Sequence, residues 1–163
     1  MNSTSQPWWR GTKGEWYVVM QFILFGLIAV APIVPGMPHW GAPGSTITLV
    51  LGLGLLALGA GMALIALANL GRNLSALPHP KDDAQMVEQG AYKLVRHPIY
   101  SGIIQGAIGY ALLTASWLTL ALALILLVFF DIKSRREEKY LGRKFSNYAS
   151  YQQRVKKLIP FVY

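Results

Sequence analysis

Three long segments that are almost free of charged residues constrain the fold of this chain of 163 residues more than any other feature. They span residues 16–34, 47–70 and 102–132, and only the last contains a charge, at Asp131. A helix of about 20 apolar residues crosses the roughly 30 Å hydrocarbon core of a bilayer. Apolar residues make up 53% of the chain and charged residues 13%, which is atypical of soluble domains. We therefore predict an all-α, polytopic membrane helix bundle.

The first segment, residues 16–34, is predicted to be a retained membrane span. As a helix it would extend about 28 Å. A secretory signal peptide is the alternative, because basic residues precede the segment and Ala29-Val30-Ala31 resembles a cleavage site. However, the apolar core is long for a signal peptide, and Pro32 would directly follow the cut. We therefore expect this helix to remain in the protein.

The third segment, residues 102–132, is too long for one span and is predicted to form a helical hairpin. A single helix of this length would extend about 46 Å. The polar segment before it, residues 71–97, and the tail after it both carry Lys and Arg, which favour the cytoplasmic side. We expect a turn at residues 114–117. The result is about four transmembrane helices, the last two a short hairpin, with both termini in the cytoplasm.

Small residues predict where the spans approach each other closely. They are Gly52, Gly54, Gly59 and Gly61 in the second segment, and Gly102, Gly106 and Gly109 on one face of the first hairpin arm. Helices in membranes pack closely where side chains are small. For the second segment, the lining of a cofactor cleft is an alternative. Residues 35–44 between the first two segments are rich in Pro and Gly and are predicted to form an external turn.

The basic tail is predicted to contain an amphipathic helix. Nine of the fifteen Lys and Arg residues follow Phe130, and Phe145, Tyr148, Tyr151 and Val155 recur at steps of three and four residues. This helix either lies on the membrane surface or folds back over the core. Beside apolar spans, we interpret the positive charge as contact with anionic lipid headgroups and as a topology signal, and not as a nucleic-acid site.

A polar cluster, Arg96-His97-Pro98-Ile99-Tyr100-Ser101-Gly102, stands where the hairpin begins. Pro98 suits the first turn of a helix, whose free N–H groups and positive dipole end favour a carboxylate or phosphate. Arg96 offers several donors to an anion, and His97 can donate or accept a hydrogen bond. Taken singly, these residues could be interfacial anchors and a helix N-cap. Taken together, they indicate a site for a polar ligand.

A second cluster, Arg135-Arg136-Glu137-Glu138, follows the hairpin. Because both hairpin arms begin and end on the same side, we expect these carboxylates close to Arg96 and His97. They can accept hydrogen bonds from ribose hydroxyls, hold an ammonium group or pair with Arg96. A solvated helix end with local ion pairs is the alternative. The sequence has no Cys and no His, Asp and Glu set with metal-ligand spacing, so we predict no metal site.

In the order and spacing of these clusters, the chain resembles the isoprenylcysteine carboxyl methyltransferase and phospholipid N-methyltransferase superfamily. The matching elements are Leu70-Gly71-Arg72-Asn73, Val87-Glu88-Gln89-Gly90-Ala91-Tyr92, the cluster from Arg96 to Gly102, Arg136-Glu137-Glu138 with Leu141, and Tyr148-x-x-Tyr151-x-x-Arg154-Val155. The resemblance implies one membrane methyltransferase domain over residues 1–163. Residues 1–70 would supply two N-terminal spans, and residues 71–163 would form the cofactor-binding catalytic core.

The resemblance also implies S-adenosyl-L-methionine as the methyl donor, held at the cytoplasmic membrane face. The expected cofactor contacts are Tyr92, Leu94, His97, Pro98, Tyr100, Gly102, Glu137 and Glu138. Arg96, Arg136 and Glu137 are the expected catalytic residues, and Arg96, together with Arg135 or Arg136, would orient an acidic or polar group of the acceptor. We do not count Tyr148 among the contacts, because the segment from Phe145 to Tyr148 is one residue shorter than is usual in the family.

The predicted function is methyl transfer to a lipophilic or small acceptor, which could be a carboxylate, a thiol or an amine. Membrane lipid is the expected environment, nucleic acid is not an expected partner, and the oligomeric state stays open. Two alternatives remain at this point. One is a membrane reductase that uses NADPH and is related to sterol reductases, and the other is a non-enzymatic lipid-binding membrane subunit.

Overall fold

The computed structural model describes residues 14–41 and 45–163, which form a bundle of α-helices. In this part of the chain the helices are α1 (Glu15–Val30), α2 (Thr46–Leu70), α3 (Pro98–Thr114), α4 (Trp117–Lys144) and α5 (Tyr148–Arg154). Short 3-10 turns lie at Ala31–Ile33, Gly71–Asn73 and Gly90–Lys93. The all-α class is confirmed. The predicted cytoplasmic N-terminus and residues 42–44 of the external turn lie outside the described residues.

Three helical segments among the described residues are long and apolar enough to cross a membrane. They are Glu15–Ile33, Thr46–Asn73 and Trp117–Lys144, with mean hydropathies of 2.1, 2.4 and 2.0. α3 has 17 residues and is joined to α4 by a two-residue turn. These helices form the polytopic membrane bundle that the apolar segments predict.

The hairpin of α3 and α4 turns at Ala115 and Ser116, within the predicted residues 114–117. Ala115 adopts a left-handed backbone conformation with φ 48°, and the Ser116 side chain caps α4 by accepting from the Thr119 N–H at 3.2 Å. The arms are unequal, since α4 has 28 residues. The expectation of two short arms is therefore wrong for α4. Its helix continues through the charged segment, where Asp131 and Arg135 form an i,i+4 ion pair of 2.7 Å.

Glycines join α2 and α3 at close range. A Cβ atom on Gly59 would lie 2.4 Å from the carbonyl oxygen of Gly102, and one on Gly109 would lie 2.7 Å from that of Gly52. Both pairs are seven residues apart in each helix, so they repeat along one antiparallel seam. The predicted close packing is confirmed at these four positions.

The prediction fails at two other glycines of α2. A Cβ atom on Gly54 or Gly61 would meet nothing within 4 Å, because these positions face away from α3. Gly106 on α3 lies at the seam with more room, and its nearest contact would be the Leu56 side chain at 3.8 Å. The helical period therefore places Gly52 and Gly59 on the face of α2 that contacts α3, and Gly54 and Gly61 on other faces.

The chain between α1 and α2 contacts the hairpin turn. The Trp40 N–H donates to the Ala115 carbonyl at 3.0 Å, and the Trp117 N–H donates to the Pro38 carbonyl at 3.4 Å. The rings of Trp40 and Trp117 meet edge to face with centroids 4.8 Å apart. All four long helices are thus connected at this end of the bundle, which we call the turn end.

The tail folds back over the bundle at the opposite end, which decides between the two alternatives for it. α5 has only seven residues and buries Tyr148 and Tyr151. Phe145 caps the end of α4, and Val155 caps the end of α5 in an extended conformation. The predicted amphipathic helix from Phe145 to Val155 is therefore too long by three residues at its start and by one at its end.

Beyond α5 the tail pairs with the segment that precedes α3. The Arg96 N–H donates to the Lys156 carbonyl at 2.8 Å, and the His97 N–H donates to the Lys157 carbonyl at 3.1 Å. Asp131 of α4 also holds the tail, because the Lys157 ammonium and the Tyr163 hydroxyl donate to its carboxylate at 2.6 and 2.8 Å. The tail is therefore tied both to the start of α3 and to α4.

Candidate functional site

The first turn of α3 presents the polar cluster as the sequence predicts. Pro98 occupies the first turn, and His97 is the N-cap residue. The His97 side chain accepts no capping hydrogen bond. Its Nε2 lies 3.1 Å from Glu138 Oε1, and its Nδ1 lies 3.8 Å from Glu137 Oε2. The imidazole therefore faces the second cluster, so a simple N-cap role does not describe it.

Arg96, His97, Glu138 and Gln152 form a group that we call the tail junction. Arg96 Nε donates to Glu138 Oε1 at 2.8 Å. Its Nη1 donates to the Gln152 carbonyl at 3.1 Å and also to the Val155 carbonyl. Gln152 Nε2 donates to the other oxygen of Glu138 at 3.2 Å. The expected approach of the carboxylates to Arg96 and His97 is confirmed, and both oxygens of Glu138 are engaged by these contacts.

A cavity of about 490 Å³ lies beside the tail junction. It is enclosed by α1, the end of α2, the first turns of α3, α4, the tail, and the loop from residue 73 to residue 87. Among the residues predicted as site residues, those that line it are Tyr92, Arg96, His97, Tyr100 and Glu137. A cavity of this size falls in the range of sites that hold cofactors and similar ligands.

Tyr100 is held rigidly at the centre of the cavity wall. Its ring stacks on Phe130 with centroids 4.5 Å apart and on His97 with centroids 5.5 Å apart. Its hydroxyl donates to Glu137 Oε2 at 2.9 Å. Glu137 is more exposed than Glu138, with 27% against 12% of its side chain accessible. The two carboxylates therefore differ, since Glu137 faces the cavity and Glu138 faces the tail.

Lys133 and Gln21 form another polar part of the cavity wall, which sequence reasoning missed. Lys133 is only 1% exposed, and its ammonium donates to Gln21 Oε1 at 2.6 Å. The ammonium also lies 5.3 Å from the centroid of the Tyr100 ring. A glutamine inside an uncharged span and a lysine at the edge of the last one are the signals that could have indicated this pair. Ionisable and amide side chains in spans usually face the bundle interior.

Three tyrosines close the cavity toward the tail. The Tyr151 hydroxyl donates to the Tyr92 carbonyl at 2.7 Å. Tyr148 is 3% exposed and lines the cavity, and its hydroxyl has no hydrogen-bond partner among the described residues. Burial, and then the nearby Glu138 carboxylate, raise the pKa of Tyr148 well above its usual range. Tyr148 is therefore a neutral residue of the cavity wall with an unpaired buried hydroxyl, although the sequence argued against it.

Five residues expected at the site do not line the cavity. Leu94 is 51% exposed, Pro98 is buried in the first turn of α3, and Gly102 packs against Gly59. Glu138 belongs to the tail junction. The Arg136 guanidinium lies 5.5 Å from the centroid of the Tyr17 ring. Their predicted roles in binding or catalysis have no support from the wall of the cavity.

An apolar groove of about 300 Å³ lies between α1 and α3 and shares Ile103 with the cavity. Its lining residues are Phe25, Ile28, Ala29, Ile103, Gly106, Ala107, Tyr110 and Leu126. The Tyr110 hydroxyl donates to the Ala29 carbonyl at 3.2 Å. Since its other lining groups are apolar, the groove suits a hydrocarbon chain.

Comparison with known proteins identifies relatives of this chain. The phospholipid methyltransferase family matches residues 47–148. The probable protein-S-isoprenylcysteine O-methyltransferase of Oryza sativa subsp. indica is 31% identical over 116 residues, which cover 69% of this chain and 61% of the rice protein. The corresponding enzyme of Saccharomyces cerevisiae is 37% identical over 117 residues, which cover 69% and 49%.

A bacterial relative aligns over more of the chain. The cobalt-zinc-cadmium resistance protein CzcN of Cupriavidus metallidurans is 30% identical over 153 residues, which cover 93% of this chain and 64% of CzcN. The solved structure of the eukaryotic intramembrane Ras methyltransferase ICMT shares the fold, with a TM-score of 0.59 and 24% identity. It covers 99% of this chain, and this chain covers 55% of it. The chain thus spans less than two thirds of each of these relatives.

Proposed function

Because the chain belongs to the phospholipid methyltransferase family, we propose that it is an integral membrane enzyme that transfers a methyl group from S-adenosyl-L-methionine to an amphiphilic acceptor. One observation carries the proposal. The cavity that His97, Tyr100 and Glu137 line lies next to the apolar groove between α1 and α3, and Ile103 belongs to the wall of both. A polar ligand and a hydrocarbon chain can therefore bind next to each other. The isoprenylcysteine methyltransferases among the relatives are consistent with such an acceptor.

The residues of the cavity fit S-adenosyl-L-methionine. This cofactor carries an ammonium group, a carboxylate, ribose hydroxyls and an adenine ring. Glu137 offers a carboxylate to the ammonium group or the ribose, and the buried Tyr148 hydroxyl offers an unused donor. A buried polar group without a partner costs free energy, so a ligand acceptor at Tyr148 would remove that cost. Tyr92 and the apolar residues of the loop can contact the adenine.

When bound, S-adenosyl-L-methionine supplies an electrophilic methyl group on a sulfonium. The residues of the chain then hold and orient the reactants and exclude water from them. The stacked rings of Phe130, Tyr100 and His97 fix one wall of the cavity. The folded tail covers the cavity and limits the access of water. Correct orientation of two reactants can contribute about 7–11 kcal/mol to the barrier reduction, so general acid–base catalysis is not required of these residues.

We place the cavity at the cytoplasmic face of the membrane, with residues 71–163 as the cofactor-binding part. Lys and Arg residues are concentrated in the loop before α3 and in the tail, and both lie at the cavity end of the bundle. A reporter domain fused after Tyr163 is expected to be cytoplasmic. A reporter signal from the opposite side of the membrane would contradict this orientation.

The test of the function is binding of S-adenosylhomocysteine to the purified protein in nonionic detergent. A saturating ligand at about 100 times its dissociation constant stabilises a folded protein by about 2.7 kcal/mol, which thermal unfolding detects. We expect this stabilisation in the wild type, and an affinity about tenfold lower in Glu137→Gln, which loses a charged acceptor. Glu88→Gln is the matched control, because Glu88 pairs with Arg154 and does not line the cavity.

The outcomes separate the alternatives. Stabilisation of the wild type by NADPH without any by S-adenosylhomocysteine would favour a membrane reductase. Stabilisation by neither S-adenosylhomocysteine nor NADPH would favour a lipid-binding subunit. Equal losses in Glu137→Gln and Glu88→Gln would show that the effect of Glu137 is not one of contact in the cavity.

A further inference from the structure

We propose that the segment of the tail over residues 159–163 is a membrane anchor, whose apolar side chains insert into the lipid leaflet at the cavity end of the bundle. We call this segment the tail loop. Its insertion also holds the tail in place over the cavity. The inference does not depend on the proposed function, because it rests on the exposed surfaces of the tail and of α4.

The tail loop presents an apolar surface on a fixed backbone. Phe161 is 87% exposed and Val162 is 70% exposed, and Ile159 beside them is also exposed. Backbone hydrogen bonds close the loop, since the Leu158 and Ile159 N–H groups donate to the Tyr163 carbonyl at 2.7 and 2.6 Å. Neighbouring apolar side chains with this exposure are unfavourable in water, so they indicate a contact with lipid or with another protein.

The backbone of Phe161 is also unfavourable by itself. It adopts the left-handed conformation, with φ 65°. This conformation costs a non-glycine residue free energy, and it is rare for a bulky side chain. Packing of the ring inside the protein does not offset the cost, because the ring is exposed. Insertion of the ring into an apolar environment outside the chain would offset it.

The tail loop is attached to α4 at the depth of the membrane. The Tyr163 hydroxyl donates to Asp131 at 2.8 Å, and Lys157 pairs with the same carboxylate at 2.6 Å. Asp131 follows Trp117 by about four turns of α4, or roughly 21 Å. The hydrocarbon core is roughly 30 Å thick, and tryptophan is typical of its boundaries. With Trp117 at the boundary of the turn end, Asp131 and the side chains bound to it therefore lie within the depth of the bilayer.

The outward face of α4 identifies lipid as the partner of the tail loop. Leu124, Val128 and Ile132 recur along this face at steps of four residues, and all three are exposed. Arg135 is the next exposed residue of the face, and it pairs with Asp131. The face thus changes from apolar to charged where the tail loop is attached. An apolar and aromatic segment at such a boundary, continuous with a lipid-facing helix, is typical of an interfacial anchor.

Insertion of the tail loop would oppose the release of the tail from the start of α3. The Arg96 and His97 N–H groups donate to the carbonyls of Lys156 and Lys157, which precede the tail loop closely. Release of this pairing would draw the loop out of the lipid and expose its side chains to water. Burial of one phenylalanine shifts such an equilibrium by about tenfold or more, so Phe161 would keep the tail paired.

The first experiment measures the depth of the tail loop with single cysteines, since the chain has no cysteine of its own. Phe161→Cys carries a nitroxide label in nanodiscs of phosphatidylcholine, and its collisions with oxygen and with a water-soluble nickel complex are measured. We expect oxygen to reach the label and the nickel complex to be excluded from it. The matched controls lie on α4, where the exposed Val128 gives a reference in lipid as Val128→Cys and the exposed Lys139 gives one in water as Lys139→Cys.

The second experiment tests the hold on the tail by hydrogen exchange of the Arg96 and His97 amides in the same nanodiscs. Phe161→Asn removes the ring, and asparagine tolerates the left-handed backbone, so the loop is retained. We expect these amides to exchange about tenfold faster in Phe161→Asn than in the wild type. Gln153→Asn is the control, because Gln153 is an exposed residue of α5 outside the tail loop, and it should leave the exchange unchanged.

Three results would overturn the proposal. Equally frequent collisions of the nickel complex with the labels of Phe161→Cys and Lys139→Cys would place the tail loop in water and favour a protein partner. Equal exchange in Phe161→Asn and the wild type would show that the loop does not hold the tail. The same acceleration in Gln153→Asn would indicate a general loosening of the tail. Neither measurement uses S-adenosylhomocysteine, so both results are independent of the proposed function.

Discussion

The tail junction and the cavity wall lie side by side, yet their polar groups are satisfied to different degrees. In the tail junction, Glu138 receives hydrogen bonds from Arg96 and Gln152 and contacts His97. On the cavity wall, Lys133 hydrogen-bonds to the neutral Gln21 side chain and lies within the electrostatic reach of Glu137, and the buried Tyr148 hydroxyl has no partner among the described residues. Polar groups that are hydrogen-bonded within the chain contribute to its stability. A buried polar group without a partner costs free energy, and a bound ligand can remove that cost. The tail junction thus has the contacts of a structural element, and the cavity wall keeps the polar groups that we propose for ligand binding.

The largest expected effect separates the two adjacent carboxylates. Glu138→Ala leaves the Arg96 guanidinium without its carboxylate partner in a mostly buried position. We expect the free energy of unfolding to fall by about 3 kcal/mol, as for other broken buried pairs. Glu137→Ala should change it by less than about 1 kcal/mol, because Glu137 is more exposed and its Tyr100 partner stays stacked. Denaturant or thermal unfolding in detergent measures both, and equal losses would contradict the division of roles.

The glycine seam tests whether the tail junction alone positions the site. Gly59→Ala places a Cβ atom against the Gly102 carbonyl, so α2 and α3 must separate. Overpacking of this kind costs about 1–3 kcal/mol, and it should also weaken S-adenosylhomocysteine binding, because α3 carries the motif. Gly61→Ala is the control, since its Cβ atom meets nothing within 4 Å. Unchanged binding in Gly59→Ala would show that the tail junction is sufficient.

The smallest expected effect compares two tyrosines that differ in their partners. Tyr151→Phe leaves the buried Tyr92 carbonyl without its donor, and we expect a loss of about 1–2 kcal/mol in unfolding free energy. Tyr148→Phe removes a hydroxyl that has no partner, so stability should stay within about 0.5 kcal/mol or rise slightly.

Ligand binding sharpens the same comparison. S-adenosylhomocysteine affinity should fall severalfold in Tyr148→Phe, because a neutral donor leaves the cavity. Tyr151→Phe should retain most of the affinity, since its hydroxyl is already used by the chain. Calorimetric titration measures both affinities. A larger loss in Tyr151→Phe than in Tyr148→Phe would show that Tyr148 does not provide the ligand contact.

The sequence predicts what depends on local pattern and on charge. The hairpin turn follows from the length of residues 102–132 and from the basic flanks, and it lies at Ala115 and Ser116 as expected. The length of α4 does not follow from hydropathy, because the helix continues through charged residues that form ion pairs such as that of Asp131 with Arg135. An apolar run marks the membrane, and a helix can extend well beyond it.

The parts of the site that escaped prediction depend on long-range packing. In the sequence, Lys133 looks like one more residue of the basic tail. Its burial is evident only in the folded structure, where Gln21 of α1 lies beside it. Tyr148 was excluded by the length of its segment, yet the backbone pairing of the tail with Arg96 and His97 brings it onto the cavity. Burial of these groups is a property of assembled helices, and no local pattern encodes it.

The contact of Trp40 with Trp117 has a mechanical consequence for the exchange of ligands. The chain between α1 and α2 is hydrogen-bonded to the hairpin turn, so the long helices are held together at the turn end. Any widening of the groove between α1 and α3 must then grow with distance from the turn end. Such a widening would be greatest at the end of the bundle that carries the cavity, so a ligand would enter the groove sideways from the lipid near that end.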